Sequence, residues 1–113
     1  MPDPRVVFQL ADGRTEDHET ALRNLRNAIA DLPGAIVCLV AHGPGLSLVT
    51  GRTGLADDVD ELVKDGVEVL ACRNTMARLG VADVELRPGV GTVSAGIGEI
   101  VRRQGAGWAY VRI

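Results

Sequence analysis

"AIVCLVA", residues 35–41, decides the architecture. A strand with one wet face alternates polar and apolar residues, and this run does not alternate at all. Bounded by Pro33-Gly34 before and "HGPG" (42–45) after, it reads as a strand covered on both faces. Strands of that kind belong to parallel sheets with helices on either side.

The flanking sequence supplies those helices. Upstream, "TEDHETALRNLRNAIADLPG" (15–34) predicts a helix on the stripe Leu22, Leu25 and Ile29. Thr15 is its expected N-cap, with Glu16 and Asp17 where the helix dipole favours negative charge. Before it, the β-branched run "RVVFQL" (5–10) ends at the turn signal "ADG" and reads as a first strand. Downstream, Leu55, Val59, Leu62 and Val63 form a second helical stripe, stopped by Asp65-Gly66. "VEVLA" (67–71) is a further strand, followed by a short helix "RNTMARLG" (73–80). "VADVELRPGVG" is expected to be extended or looped. "TVSAGIGEIVRRQG" then predicts a helix capped by Ser94, with the stripe Ile97, Ile100 and Val101, and "WAYVRI" closes the chain as an alternating strand. Alternating β and α elements give one α/β domain over 1–113, with a mostly parallel sheet and helices on both faces.

Composition narrows the function. Of the 113 residues 46% are hydrophobic and 24% charged, the balance of an ordinary globular chain. The net charge of -3 is spread without a basic cluster, and Phe8, Trp108 and Tyr110 are the whole aromatic complement. Nucleic acid is therefore not an expected partner. No apolar run approaches bilayer length, and "MPDPRVVFQL" lacks the pattern of a signal peptide, so a cytoplasmic location is expected, with no membrane partner. Cys38 and Cys72 then stay reduced. With His18 and His42 they form no zinc spacing, and neither a metal nor a cofactor is expected. "GLSLVTGRT" (45–53) misses a phosphate loop: its glycines are one residue too far apart, and Arg52 stands in place of the lysine.

In a parallel sheet, ligands bind beyond the carboxyl ends of the strands. "ADGRTED", "HGPG", "CRNT" and "SAG" all lie on that edge, which brings Asp12, His42, Cys72 and Ser94 to one side of the molecule. Asp12 reads as a turn residue and Ser94 as a cap. Cys72 stands between a strand and a helix start, where it is either a thiol that free N–H groups favour as thiolate or a small packed side chain. Arg73 and Arg78 add positive charge. His42 is a candidate proton shuttle or thiolate partner, and Gly43 to Gly45 shape its turn. Asn74 and Thr75 either hold an anion or the Cys72 sulfur, or cap their own helix. Cys38, inside the apolar run, is expected to be packing, and its depth argues against a disulfide with Cys72. "GLSLV" (45–49) is expected to expose apolar surface that a neighbouring subunit covers.

"LVAHGPGLSLV", "VEVLACRNTMARLGV", "LRPGV" and "SAGIGEIVRRQGAGWAYVRI", in this order, resemble the DsrE/DsrF-like family of small sulfur-metabolism proteins, and "ALRNLRNAIADLPGA" fits the same pattern. The resemblance covers almost the whole chain and is nearest to the stand-alone branch with a C-x-N-T signature. It implies a flavodoxin-like three-layer sandwich with a five-stranded sheet, assembled as a homo-oligomer, a trimer or hexamer. It also implies a sulfur relay in which Cys72, at the position of the family's carrier cysteine, holds sulfane sulfur as a persulfide between donor and acceptor proteins. The residues themselves, rather than the resemblance, put His42 beside that cysteine as a catalytic candidate and Gly43, Arg73, Asn74 and Thr75 in the binding site of this sulfurtransferase-like protein. The competing expectation is a non-catalytic oligomeric module that recognises a small anionic metabolite at the same edge. A redox sensor lacks an accessible resolving cysteine.

Overall fold

The computed structural model describes residues 3–51 and 53–113; Arg52 of the near-miss phosphate loop and the first two residues of "MPDPRVVFQL" lie outside them. The strands are β1 (Arg5–Leu10), β2 (Ile36–Ala41), β3 (Glu68–Cys72), β4 (Gly91–Val93) and β5 (Ala109–Arg112). The α-helices are α1 (Thr15–Asp31), α2 (Ala56–Lys64), α3 (Arg73–Leu79) and α4 (Gly96–Gly105). All strand pairings in the sheet are parallel, in the order β4-β3-β2-β1-β5.

That order explains the layers. From β1 to β4 the chain steps in one direction, and right-handed crossovers place α1, α2 and α3 on one face. The return from β4 to β5 runs the other way, so α4 lies on the opposite face. The cores agree with this. Val6, Phe8, Leu10, Val37, Leu39, Ala41, Val69 and Ala71 point into the cluster shared with α1, α2 and α3. Val7, Cys38, Val40 and Leu70 point the other way, onto Ile100 of α4. The unbroken apolar run of β2 is thus buried on both faces, and the sandwich has the expected flavodoxin-like layering with the sheet wholly parallel.

Several expectations change. Helix α1 begins at Thr15 itself, with Arg14 in the N-cap position, and α4 is preceded by Ala95 rather than Ser94; neither cap makes a side-chain bond. The "HGPG" loop winds directly into a 3-10 helix, Gly43–Val49. Its Leu46, Leu48 and Val49 are fully buried in the chain's own core, so "GLSLV" is not the exposed surface expected of it. The apolar surface left open lies elsewhere. Within the α4 stripe only Ile100 is buried, while Ile97 and Val101 are 55% and 61% exposed. Finally, the glycine-rich stretch before α4 supplies a strand, β4, short enough to escape any periodicity argument.

Candidate functional site

Strand parity aims one set of side chains at the α4 side of the carboxyl edge. Ala41 and Ala71 are register partners and point to the α1 side, so the next residues, His42 and Cys72, both point to the α4 side. The His42 N–H still bonds the Leu10 carbonyl at 3.1 Å, carrying the register past the end of β2. Gln9 of β1 shares that side, as do Tyr110 and Arg112 of β5, because Val7 pairs with Tyr110 and Gln9 with Arg112. The edge therefore presents Cys72, His42, Gln9, Tyr110 and Arg112 along one row.

Cys72 ends β3 and directly precedes α3, and it is 5% exposed. Burial works against ionising its thiol. Hydrogen bonds to the sulfur from the Thr75 hydroxyl and from the backbone N–H groups of Gly96, Thr75 and Asn74 outweigh that penalty. The thiol therefore ionises below its ordinary value, the condition for a nucleophilic cysteine. The donors come from two directions, the first turn of α3 and the start of α4. The Asn74 N–H also meets the Ser94 carbonyl at 3.2 Å, which ties the two turns together.

Glycine is needed at position 96. A Cβ there would lie 3.1 Å from both His42 Cβ and Val40 Cγ1, tighter than ordinary contact. Gly45 is the counterpart in the next loop, where a Cβ would collide with the Leu10 carbonyl.

Thr75, buried at 5% exposure, links the cysteine to the histidine loop: its Oγ1 accepts from the Gly43 N–H at 2.9 Å. His42 receives a hydrogen bond at Nε2 from Gln9 Nε2, 2.9 Å away, and Tyr110 donates to the other end of the same Gln9 amide. Burial, and secondarily the Arg112 charge, lower the His42 pKa, so the ring is neutral at neutral pH.

Other residues are placed differently from the simple expectation. The Arg73 guanidinium turns away from the sulfur and grips the Asp83 carboxylate through both Nη atoms, at 3.1 and 3.0 Å. The Asn74 side chain is exposed, and its contribution to Cys72 is the backbone N–H. Asp12 accepts from His18 Nε2 at 2.6 Å through its carbonyl, while its carboxylate lies 3.7 Å from Arg112. Cys38 is completely buried beneath α4, which pushes its thiol up to about 12 against the opposing charge of Arg103. Both cysteines are free.

Gly96, Gln9 and Tyr110 were not singled out from sequence. Gln9 had a readable signal, being the one polar side chain in "RVVFQL" past its first residue. Gly96 was placed on the edge only as part of the "SAG" loop, because its approach to Cys72 depends on where the last crossover lands.

Among the described residues no group of three or more His, Cys, Asp or Glu is arranged to hold a metal ion. No helix among them is long and apolar enough to cross a membrane. A groove of about 470 Å³ includes Arg23, Arg26 and Asp58, and another of about 290 Å³ includes Pro44, Leu46 and Leu79. Neither is lined by Cys72 or His42.

The chain is similar in structure to MTH1491 from Methanobacterium thermoautotrophicum, a protein described as of unknown function. The two share 38% identity and a TM-score of 0.95 over 98% of this chain and 100% of the other. BT1422 from Bacteroides thetaiotaomicron aligns at 15% identity and a TM-score of 0.78, over 96% of this chain and 94% of that one. The ychN protein of E. coli aligns at 14% identity with the same score over the full length of both chains. At such identities these two likenesses show the fold alone. No protein of curated function matches the chain. The DsrE/DsrF-like family model matches residues 5–113, from the first strand to the last residue, and the chain belongs to that family.

Proposed function

We propose that the protein is a sulfur-relay subunit in which Cys72 carries sulfane sulfur. Family membership supports the relay role in general terms. The observation that supports Cys72 in particular is its buried sulfur, ringed by four hydrogen-bond donors that favour the thiolate. The thiolate attacks the outer sulfur of a donor persulfide. A Cys72 S–S bond forms, the donor's S–S bond breaks, and the donor leaves as a thiolate with the electron pair. An acceptor thiolate then attacks the outer sulfur and releases Cys72 in its starting form, so no external oxidant or reductant is needed. A reducing intracellular setting keeps the Cys72 thiol ready for this exchange.

In this reading Thr75, Gly96 and Asn74 hold the anion, and Gly43 buttresses Thr75. His42 flanks the sulfur, and Arg73 shapes the rim through its pair with Asp83. Incubation with a persulfide donor followed by intact mass measurement is expected to show one added sulfur atom, absent in Cys72→Ser. Equal labelling of that variant, or no labelling of the native chain, excludes the relay. The alternative, recognition of a small anion without transfer, predicts a Cys72 that resists alkylation near neutral pH. The thiolate-stabilising donors favour transfer.

Self-association belongs to the same proposal, with its surface on α4 and β5 rather than on "GLSLV". Ile97, Val101 and Tyr110 are exposed there, and Ile97 directly follows the glycine that meets Cys72. Sedimentation at micromolar concentration is expected to show an oligomer that Val101→Asp weakens. A monomeric native chain overturns this part of the proposal.

A further inference from the structure

The row Tyr110, Gln9, His42 runs from the edge strand to the neighbour of Cys72, and its hydrogen bonds all point one way. Tyr110 O–H donates to Gln9 Oε1, which leaves the Gln9 N–H group to face His42. Gln9 Nε2 can only donate, so the His42 Nε2 facing it at 2.9 Å must present its lone pair. A neutral imidazole with Nε2 as acceptor carries its proton on Nδ1.

We propose that Gln9, oriented by Tyr110, is a positioning residue that locks His42 as the Nδ1-protonated neutral imidazole beside Cys72. With the Nε2 lone pair occupied, His42 has no base to offer the thiol. Its remaining polar atom is a donor, and the hydrogen bonds from Thr75, Gly96 and Asn74 stabilise the thiolate without an imidazolium partner. The purpose of the lock rests on the sulfur-carrier reading, since a ring held neutral neither attracts a second anion nor competes for the proton of an incoming thiol.

The groups facing the ring are consistent with the lock. From β5 come Arg112, whose charge disfavours an imidazolium, and the Tyr110 hydroxyl. From β3 comes Cys72, and Arg112 is itself approached by the Asp12 carboxylate at 3.7 Å. Helix α4 presents Gly96, which carries no charge.

Ring-nitrogen NMR of the 15N-labelled full chain tests the assignment. In the native protein near neutral pH, His42 is expected to show a protonated Nδ1 and an unprotonated Nε2. Gln9→Glu replaces the donor with an acceptor. The ring must then place a proton on Nε2, and its titration midpoint is expected to rise by about one pH unit or more. Tyr110→Phe keeps the ring on β5 and removes only the hydroxyl. It frees the Gln9 amide to turn over, so a mixture of tautomers is expected. A native His42 protonated at Nε2, or a His42 spectrum unchanged in both variants, overturns the proposal. The measurement involves no sulfur transfer. A Cys72 that never takes up sulfur, beside a His42 locked as described, would therefore overturn the relay alone.

Discussion

Thr75 serves two neighbours through one hydroxyl: its oxygen accepts from the Gly43 N–H while its proton turns to the Cys72 sulfur. Thr75→Val keeps the shape and deletes both bonds. The Cys72 thiolate then loses a donor, and its ionisation is expected to move up towards the ordinary value of about 8.5. Only the thiolate alkylates, so the rate-versus-pH curve should shift to higher pH, and Thr75→Ser should restore it. The Gly43 N–H is left unpaired, at a cost of about 1–3 kcal/mol in unfolding free energy. At this scale much of the site was legible. Strand-then-helix patterning placed Cys72, His42 and Thr75 on one edge, because loop position follows from topology. What a guanidinium or an amide does there depends on three-dimensional neighbours. Arg73 is adjacent to Cys72 in sequence yet is drawn off by Asp83, and Gln9 is remote in sequence yet bonded to His42.

The turn from β4 into α4 decides how closely that helix can approach the sheet edge. Gly96 is the point of contact, since its missing side chain lets its N–H reach the sulfur while His42 and Val40 close around it. Gly96→Ala is expected to push the start of α4 outward by a few tenths of an ångström. Overpacking of this kind costs about 1–3 kcal/mol. The loss should be visible as a lower melting temperature together with an upward shift of the Cys72 alkylation profile. An unchanged profile would mean that the helix start contributes nothing to the thiolate. The far end of α4 is held separately. Arg103 pairs with Glu99 at 2.8 Å and Glu68 at 2.9 Å, and stacks 4.6 Å from the Trp108 ring centroid. The helix was legible as an element, but its outward face was not. Periodicity groups Ile97, Ile100 and Val101 together, whereas one helix resting alone on a sheet buries a narrower stripe than one clasped between neighbours.

At the level of the whole molecule, the parallel order follows from sequence grammar: doubly buried β2, alternating elements and right-handed crossovers left few arrangements open. The three-residue β4 was beyond that grammar, because a pattern of period two needs more residues than it has. Global stability should also respond to the site. The unfolded chain protonates His42 near 6.5, while the folded chain resists until lower pH. Between those values the unfolded state binds more protons. Stability should therefore fall as pH drops below about 6.5, and level off once the folded ring is protonated too. His42→Asn is expected to flatten that part of the curve in thermal melts between pH 5 and 7.5; an identical slope in the variant would contradict the half-buried, neutral ring.

Cys38 has one more consequence. It shares a face of the sheet with Cys72, yet it is sealed under α4 with a thiol that stays protonated until about pH 12. An alkylating reagent can mark it only in a molecule that has opened at its centre. The chain therefore carries its own internal standard. In any labelling experiment the Cys72 signal reports the ionised thiol at the sheet edge, and the Cys38 signal counts molecules that have come apart.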